Sequence, residues 1–290
     1  MRAIFHWNVG ARVLELGRRT LIMGVVNVTP DSFSDGGLYI DAEKAVAHAE
    51  QLLEDGASII DVGGESTRPG GSEPVSEEEE RRRVLPVIRD LKRRRPDAVV
   101  SVDTSKAGVA RAAVELGAEV VNDVSGFRWD AKMAKTVAEL KVGAVLMHSR
   151  GRPEEWKTLP PIGDPGLIVK RDLRQWAESA TLAGIKRDRL VLDPGFGFGK
   201  RFEENYLLLA HFAELQQMGL PLLAGVSRKS FIGRTLARDG KDAETSARVY
   251  GTLAAETALI LKGAHIIRTH DVRFAAEAAK VADAVVASGG

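Results

Sequence analysis

Eight short apolar runs, each followed by an amphipathic helical pattern, constrain this chain more than any other feature of its sequence. The runs are rich in valine, isoleucine and leucine and lie near residues 20–27, 58–63, 98–103, 119–123, 143–148, 189–193, 221–226 and 265–269. Strands that alternate with helices pair in parallel, because each helix carries the chain back to the same edge of the sheet. Eight such units predict an α/β fold, a closed (β/α)8 TIM barrel.

The length of the chain agrees with a single barrel. A barrel of this kind takes about 250 residues, and the chain has 290, so residues 1–290 are predicted to form one domain. Residues 5–17 alternate around a turn, which predicts an N-terminal β-hairpin closing the bottom of the barrel. An open doubly wound sheet is the alternative, but the sequence has neither a G-x-G-x-x-G turn nor a linker between two halves.

Helix ends can be predicted from capping residues. Ser76 followed by Glu79 is a capping box, and the helix that it begins is stopped by Pro96. Asp41 is predicted to cap a helix that runs through Leu53. The remaining helices are predicted near residues 105–116, 131–140, 165–183, 205–218, 243–262 and 271–287.

Composition excludes several classes of partner and chemistry. The chain has 41 basic and 40 acidic residues, so no overall charge attracts nucleic acid or an anionic membrane. It contains no cysteine, which removes disulfides, thiolate nucleophiles and cysteine metal sites. No apolar stretch approaches the roughly 20 residues needed to span a bilayer. A cytoplasmic protein that acts on small molecules is the expectation.

Polar side chains stand at or just beyond the end of every predicted strand. They are Asn27, Asp61, Glu65, Asp103, Asn122, Asp123, His148, Asp193, Ser227, Arg228, Lys229, Arg268 and His270. All strands of a parallel barrel end at one mouth, where barrel enzymes place their chemistry. The sequence therefore predicts one cavity at this mouth, acidic at its base and basic at its rim.

The acidic part of this set favours a particular kind of ligand. The carboxylates of Asp103 and Asp193 and the amide of Asn122 suit a flat heterocycle with several N–H donors. A metal site is less favoured, because His148 and His270 lack metal-ligand spacing. A glycosidase pair is also disfavoured, since none of the four tryptophans lies at a strand end.

The basic part favours an anion. Residues 226–230, V-S-R-K-S, place two cations and two hydroxyls at a predicted helix start. Arg268 and His270 are two residues apart and would face the same side of an extended segment. In D-P-G-F-G-F-G-K, residues 193–200, we expect one phenylalanine in the core and the other exposed.

Seven sequence blocks resemble the dihydropteroate synthase family, in the family's order and across nearly the whole chain. They are M-G-V-V-N-V-T-P-D-S-F-S-D-G-G (23–37), D-V-G-G-E-S-T-R-P-G (61–70), S-V-D-T (101–104), V-N-D-V-S-G (121–126), L-D-P-G-F-G-F-G-K (192–200), G-V-S-R-K-S-F-I-G (225–233) and R-T-H-D-V (268–272). The resemblance implies an enzyme that joins 6-hydroxymethyl-7,8-dihydropterin diphosphate to p-aminobenzoate, giving 7,8-dihydropteroate and pyrophosphate.

The resemblance also implies a role for each matching residue. The pterin-binding set is Asp103, Asn122, Met147, Asp193, Lys229 and Arg268, and the catalytic residues are Asp103, Asp193, Lys229 and Arg268. The diphosphate-binding set is Asn27, Arg68, Arg268 and His270, with Mg2+ as cofactor at Asn27. The p-aminobenzoate-binding set is Thr67, Arg68, Pro69, Phe198, Lys229 and Ser230. Asp31, Ser32 and Phe33 would belong to a loop that closes over the site, and the chain would form a homodimer.

Two other readings of the same residues stay open. A methyltetrahydrofolate methyltransferase of related fold needs no diphosphate pocket, so Arg68 and residues 227–230 speak against it. A pterin-binding protein without turnover would usually have lost site residues, and none is missing here. The one departure from the family is M-H-S-R-G at 147–151, which keeps Met147 and His148 and is expected to change only the loop beyond them.

Overall fold

The computed structural model describes residues 2–29, 37–65 and 75–289, and within them strands and helices alternate as predicted. The strands are β1 Phe5–Val9, β2 Arg12–Leu16, β3 Leu21–Asn27, β4 Ile59–Gly63, β5 Val99–Asp103, β6 Val120–Asp123, β7 Gly143–Met147, β8 Leu190–Asp193, β9 Leu223–Ala224 and β10 Ile266–Thr269. The α-helices are α1 Gly37–Glu54, α2 Glu77–Arg94, α3 Ala107–Glu115, α4 Met133–Leu140, α5 Pro165–Leu182, α6 Phe202–Ala210, α7 Ser230–Thr235, α8 Val249–Leu261 and α9 Val272–Ser288.

Strands β3 to β10 form one parallel sheet that closes on itself. Their order around the sheet is β8, β7, β6, β5, β4, β3, β10, β9. The two outer strands meet where Leu192 forms a parallel bridge with Leu222 and its N–H donates to the Pro221 carbonyl at 3.0 Å. The predicted (β/α)8 barrel is therefore confirmed, and the open-sheet alternative is wrong.

The N-terminal hairpin closes the bottom of the barrel, as predicted. β1 and β2 pair antiparallel, with Phe5 opposite Leu16. Trp7, Val9 and Leu16 are buried in one apolar cluster with residues from the start of the barrel strands. The indole N–H of Trp7 donates to the Arg189 carbonyl at 2.8 Å, so the one polar atom of this large side chain has a partner.

The barrel interior changes from apolar to polar along each strand. Ile59, Val191 and Ile266 belong to the apolar cluster at the bottom. Two residues further along their strands stand Asp61, Asp193 and Arg268, respectively, on the same inward face. One set of strands thus supplies both a hydrophobic base and a charged mouth.

Helix ends differ from several predictions; α8, for example, begins at Val249 after a 3-10 helix, Thr245–Arg248, and not at residue 243. The Ser76 cap is confirmed, because its hydroxyl accepts from the Glu79 N–H at 3.2 Å. The predicted cap at Asp41 is wrong: α1 begins at Gly37, since no residue from 38 to 40 breaks a helix.

The helix predicted at 205–218 is in fact α6 followed by a 3-10 helix, Phe212–Met218. Phe212, Leu215 and Met218 are all buried, and their spacing of three matches the three residues per turn of a 3-10 helix.

In the described part of the chain, none of the helices is both long and apolar enough to cross a bilayer.

Candidate active site

Side chains from four strands form one hydrogen-bonded cluster at the mouth of the barrel, which we call the floor. Arg268 on β10 donates from Nε to Asp61 on β4 at 2.6 Å, and from Nη2 to Asp103 on β5 at 2.7 Å. Asn122 on β6 donates from Nδ2 to the same Asp61 oxygen at 2.9 Å. Asp61 and Asn122 are buried, whereas the side chains of Asp103 and Arg268 remain 18% and 21% exposed. The exposed atoms of the floor therefore belong mainly to Asp103 and Arg268.

Strand register brings the floor together. Asp103 pairs with Gly63 on one side and with Asn122 on the other. A Cβ at Gly63 would lie 3.3 Å from the Asp103 Cβ, so glycine leaves room for the carboxylate. Further round the barrel, Asp193 pairs in register with Met147. The predicted pterin-binding side chains on strands thus lie at the carboxyl ends of their strands, with Asp103 beside Asn122 and Asp193 beside Met147.

Asp193 forms the second half of the site, together with two residues from loops. One of its carboxylate oxygens accepts from the Gly195 N–H at 2.7 Å. The Lys229 ammonium lies 3.9 Å from the centre of the Phe198 ring, a cation–π contact. Burial raises the pKa of Asp193 to about 6, and the nearby cations Lys229, Arg268 and Lys200 oppose this rise. Burial likewise raises the pKa of Asp103, while Arg268 opposes the change.

The rim of the mouth carries His270, Ser230 and Asn27. The Ser227 hydroxyl accepts from the His270 N–H at 3.2 Å and lies 3.0 Å from the ring Nδ1, so it orients the imidazole. Ser230 is exposed at the first position of α7. Asn27 ends β3 opposite Gly63 of β4. Since α7 has only six residues, its dipole adds little to an anion site.

The position of Arg268 differs from the prediction of a cavity that is acidic at its base and basic at its rim. Its guanidinium lies in the floor, between two carboxylates, and not at the rim. The reason is that Arg268 stands on the inward face of β10, two residues after the apolar Ile266, where its side chain reaches Asp61 and Asp103. Burial would lower its pKa, but Asp61 and Asp103 outweigh burial and raise it, so the group stays charged.

Three of the strand-end residues face away from the mouth. Asp123 accepts from the backbone N–H groups of Ser125 and Phe127 and shapes the turn after β6. Arg228 forms a two-point ion pair with Asp271.

His148 is the third. Its ring stacks on Trp176 with centroids 5.1 Å apart, and its Nε2 lies 3.3 Å from Asp172. Burial lowers its pKa to about 3, so the ring is neutral. Asp123 and His148 each follow an inward-facing residue directly, and neighbouring residues of an extended segment point to opposite faces. Arg228 lies beyond the end of β9 and has a φ of 57°.

The phenylalanines after β8 divide as predicted. Phe196 is fully buried and packs near Phe212 and Phe231. Phe198 is partly exposed and contacts Lys229 and the edge of Trp156.

Several predicted site residues lie outside the described residues. These are the loop residues Asp31, Ser32 and Phe33, and the aminobenzoate and diphosphate residues Thr67, Arg68 and Pro69.

Asp61 stands at a strand end, and the predicted site includes no role for it. Its carboxylate is the one that joins Arg268 to Asn122. The signal was present in the sequence, because Asp61 follows Ile59 by two residues just as Arg268 follows Ile266.

The residues at the mouth fit a Mg2+ ion that is held mainly by the phosphate oxygens of a bound substrate and only in part by the protein. Across the described ranges, no three His, Asp or Glu side chains are grouped to hold a metal by themselves. Mg2+ commonly takes one or two protein oxygens and completes its shell with water and substrate phosphates. The amide of Asn27, at a partly exposed strand end, is a donor of that kind.

Together, the closed barrel and the polar floor at its strand ends are the arrangement of a barrel enzyme, with a largely buried cluster of mixed charge at the mouth. A family model described as pterin binding enzyme matches residues 23–270. The dihydropteroate synthase of Clostridium beijerinckii is 43% identical over 279 residues, which cover 96% of this chain and 98% of the relative. The chain belongs to the pterin-binding enzyme family, among its dihydropteroate synthases, which are transferases that produce dihydropteroate.

Solved structures agree with this assignment. Dihydropteroate synthase of Xanthomonas albilineans with 4-aminobenzoic acid superimposes with a TM-score of 0.89 at 44% identity, covering 98% of this chain and 99% of that one. The same organism's enzyme in complex with 7,8-dihydropteroate gives a TM-score of 0.85 at 41% identity, with coverages of 97% and 99%.

Proposed function

We propose that the floor and Asp193 bind the pterin ring of 6-hydroxymethyl-7,8-dihydropterin diphosphate, and that p-aminobenzoate binds beside Phe198, Lys229 and Ser230. The observation that carries this proposal is the convergence of carboxylates and an amide at the mouth of the barrel. A pterin presents several N–H donors on one edge, which Asp103 and Asp193 can accept. The flat face and third nitrogen of the Arg268 guanidinium would remain for the ring and the diphosphate.

The chemistry consists of breaking a carbon–oxygen bond while a carbon–nitrogen bond forms. The methylene carbon on the pterin loses the diphosphate and accepts the lone pair of the aminobenzoate nitrogen, which then releases a proton to solvent. Positive charge develops on the ring as negative charge grows on the leaving group. Asp103 and Asp193 stabilise the electron-poor ring, and Arg268 with His270 stabilises the diphosphate.

The attacking nitrogen needs no strong base, because a neutral aromatic amine is already nucleophilic. Positioning therefore contributes most to the rate. Lys229 contacts the Phe198 ring and acts on Asp193 through its charge, so it connects the two half-sites. Arg68 and the loop residues Asp31, Ser32 and Phe33 are proposed, from the family resemblance, to complete the diphosphate pocket.

Mg2+ would be held by Asn27 and by diphosphate oxygens. When bound, it would neutralise part of the charge on the leaving diphosphate. His270 and Arg268 would act on the same charge from the chain itself.

A reconstituted assay tests the proposed reaction. Purified protein is mixed with the pterin diphosphate, p-aminobenzoate and Mg2+, and pyrophosphate and dihydropteroate are both measured. We expect the two products in equal amounts, and none when either substrate is omitted. Pyrophosphate released without p-aminobenzoate, or no product at all, would contradict the proposal.

We also propose that the chain acts as a homodimer through the outer faces of α8 and α9. Tyr250 on α8 is 85% exposed, and Phe274, Val281 and Val285 on α9 are all more than half exposed. Such apolar side chains on two adjacent helices are typical of a protein interface. Sedimentation should give the mass of two chains, and Val281→Glu should give one chain; a monomeric wild-type protein would refute the interface.

A further inference from the structure

A buried lysine behind the site has no part in the proposed chemistry. Lys200 ends the D-P-G-F-G-F-G-K segment and is 8% exposed. Its ammonium lies 2.7 Å from the Gly195 carbonyl, 3.2 Å from the His148 carbonyl and 3.3 Å from the Phe198 carbonyl. An ammonium has three N–H donors, so the three carbonyl oxygens can satisfy all of them.

The three carbonyls belong to different parts of the mouth. His148 follows β7, and Gly195 and Phe198 lie in the loop after β8, residues 194–199. The backbone of this loop follows a path that glycine permits, with positive φ at residues 195, 197 and 199. A Cβ at Gly195 would lie 1.9 Å from the His148 carbonyl oxygen, so the loop lies directly on the end of β7. Lys200 therefore ties the loop both to itself and to the neighbouring strand.

The position of Phe198 depends on this loop, whereas the position of Asp193 depends on the sheet. Asp193 is part of β8 and pairs with Met147. Phe198 lies five residues further on, outside the sheet, and its backbone contacts within the loop, together with the edge of Trp156, hold it under the Lys229 ammonium. A second anchor comes from Asn205 of α6, whose side-chain oxygen accepts from the Gly197 N–H at 2.6 Å.

From these contacts we propose that Lys200 is a positioning residue for the aminobenzoate half-site, fixing loop 194–199 so that Phe198 stays under Lys229. The inference rests on the proposed function for the identity of the substrate. Neutral carbonyl acceptors suit this task, because they hold the ammonium without a carboxylate that would compete with Asp193. Burial lowers the pKa of Lys200 to about 7, while the charge of Asp193 opposes the change.

Lys200→Met tests the proposal, since methionine keeps the length and apolar stem of lysine but removes the charge and the donors. We expect the KM for p-aminobenzoate to rise at least tenfold and the KM for the pterin diphosphate to change less than threefold. Lys262→Met is the matched control, because Lys262 also donates to a backbone carbonyl, that of Ala210, but far from the mouth. It should change neither KM. Equal increases in both KM values for Lys200→Met, or no increase, would overturn the proposal.

Chemical rescue separates positioning from general damage to the fold. Lys200→Ala removes three methylenes and the ammonium, which n-propylammonium can replace. Added n-propylammonium should restore at least half of the lost aminobenzoate affinity, and n-propanol should not. Equal rescue by both, or by neither, would contradict a role for the charged donor.

Amide hydrogen exchange tests the positioning role of Lys200 without depending on the proposed reaction. The amides of Gly195, Gly197 and Phe198 are all bonded within the loop or to its anchors. In Lys200→Met their exchange should accelerate at least tenfold while amides of β8 stay protected. This result stands whether or not the wild-type protein makes dihydropteroate. Unchanged exchange in the loop would refute the positioning role, and absence of product with accelerated exchange would refute only the assigned substrate.

Discussion

The two ends of the barrel are built from the same strands, but the bottom buries apolar side chains and the mouth buries charged ones. At the bottom, Ile59 and Val191 lie in one apolar cluster with Trp7 of the hairpin. At the mouth, two residues further along the same strands, Asp61 and Asp193 are buried as well. Apolar burial stabilises a fold, whereas buried charges cost desolvation energy that their partners offset only in part.

The bottom of the barrel thus stabilises the fold, and the mouth carries the proposed chemistry at a cost in stability. Each charge of the floor is retained although an apolar side chain of similar size would often be more stable. Changes at the bottom are therefore expected to alter unfolding and not turnover, and changes at the mouth the reverse.

Trp7→Ala should lower the free energy of unfolding by about 3–5 kcal/mol, because it leaves a large cavity under the barrel. kcat should stay within twofold of the wild-type value. Chemical denaturation and steady-state assays of the same preparation measure both quantities. A large fall in kcat, with the protein still folded, would show that the two ends are coupled.

Asp193→Asn should lower kcat at least a hundredfold, about 3 kcal/mol in the barrier, because an ionised carboxylate no longer faces the electron-poor ring. The midpoint of thermal unfolding should be unchanged or higher. Asp188→Asn is the control, since Asp188 is exposed just before the other end of β8. Near-normal turnover by Asp193→Asn would remove Asp193 from its proposed role.

Asp61→Asn should lower kcat/KM for the pterin diphosphate about tenfold, or about 1.4 kcal/mol. Asp61 contacts Arg268 and Asn122 and is proposed to orient them, so the effect is expected to be smaller than that of Asp193→Asn. The partly exposed Asp55, which accepts from Gln51, provides the control variant Asp55→Asn. A loss larger than that of Asp193→Asn would mean that Asp61 itself binds the substrate.

Glu256→Gln should stabilise the protein by at least about 1 kcal/mol at alkaline pH. Glu256 on α8 is buried, and neither of its carboxylate oxygens accepts a hydrogen bond of normal geometry from another described residue. Burial raises its pKa from 4.5 to about 8, and the neighbouring Thr269 hydroxyl only partly opposes the change.

The sign of this effect follows from the two pKa values. Between about pH 4.5 and pH 8 the unfolded chain releases the proton while the folded chain keeps it, so the stability of the wild-type protein falls as the pH rises. Glutamine does not titrate, and the advantage of the variant should grow over this range and level off above it. Thermal unfolding at pH 5 and pH 9 measures the advantage; an equal value at both would show that Glu256 is ionised in the folded protein.

Much of the fold follows from local sequence patterns, because apolar runs and helix caps act over a few residues. The convergence of Asp103, Asn122 and Asp193 also follows, since a parallel barrel brings all strand ends to one mouth. Which partner each charge takes does not follow, because Arg268 meets Asp61 across 207 residues of sequence.

The direction of some side chains also differs from the prediction that all strand-end residues face the mouth. Asp123 and His148 each stand one position after an inward-facing residue and point outward. Arg228 has a φ of 57°, a conformation that is unusual for arginine and that no simple pattern predicts. Counting alternate residues from the apolar base would have corrected the first two.

The central claim is that the buried polar side chains at the mouth form the pterin site. A crystal structure of the protein with 7,8-dihydropteroate tests it most directly. We predict the pterin ring at the level of Asp103, Asn122 and Asp193, with its N–H groups donating to the carboxylates and its face against Arg268. A ring bound elsewhere, with the contacts of Arg268 to Asp61 and Asp103 undisturbed and no ligand touching Asp193, would contradict the account.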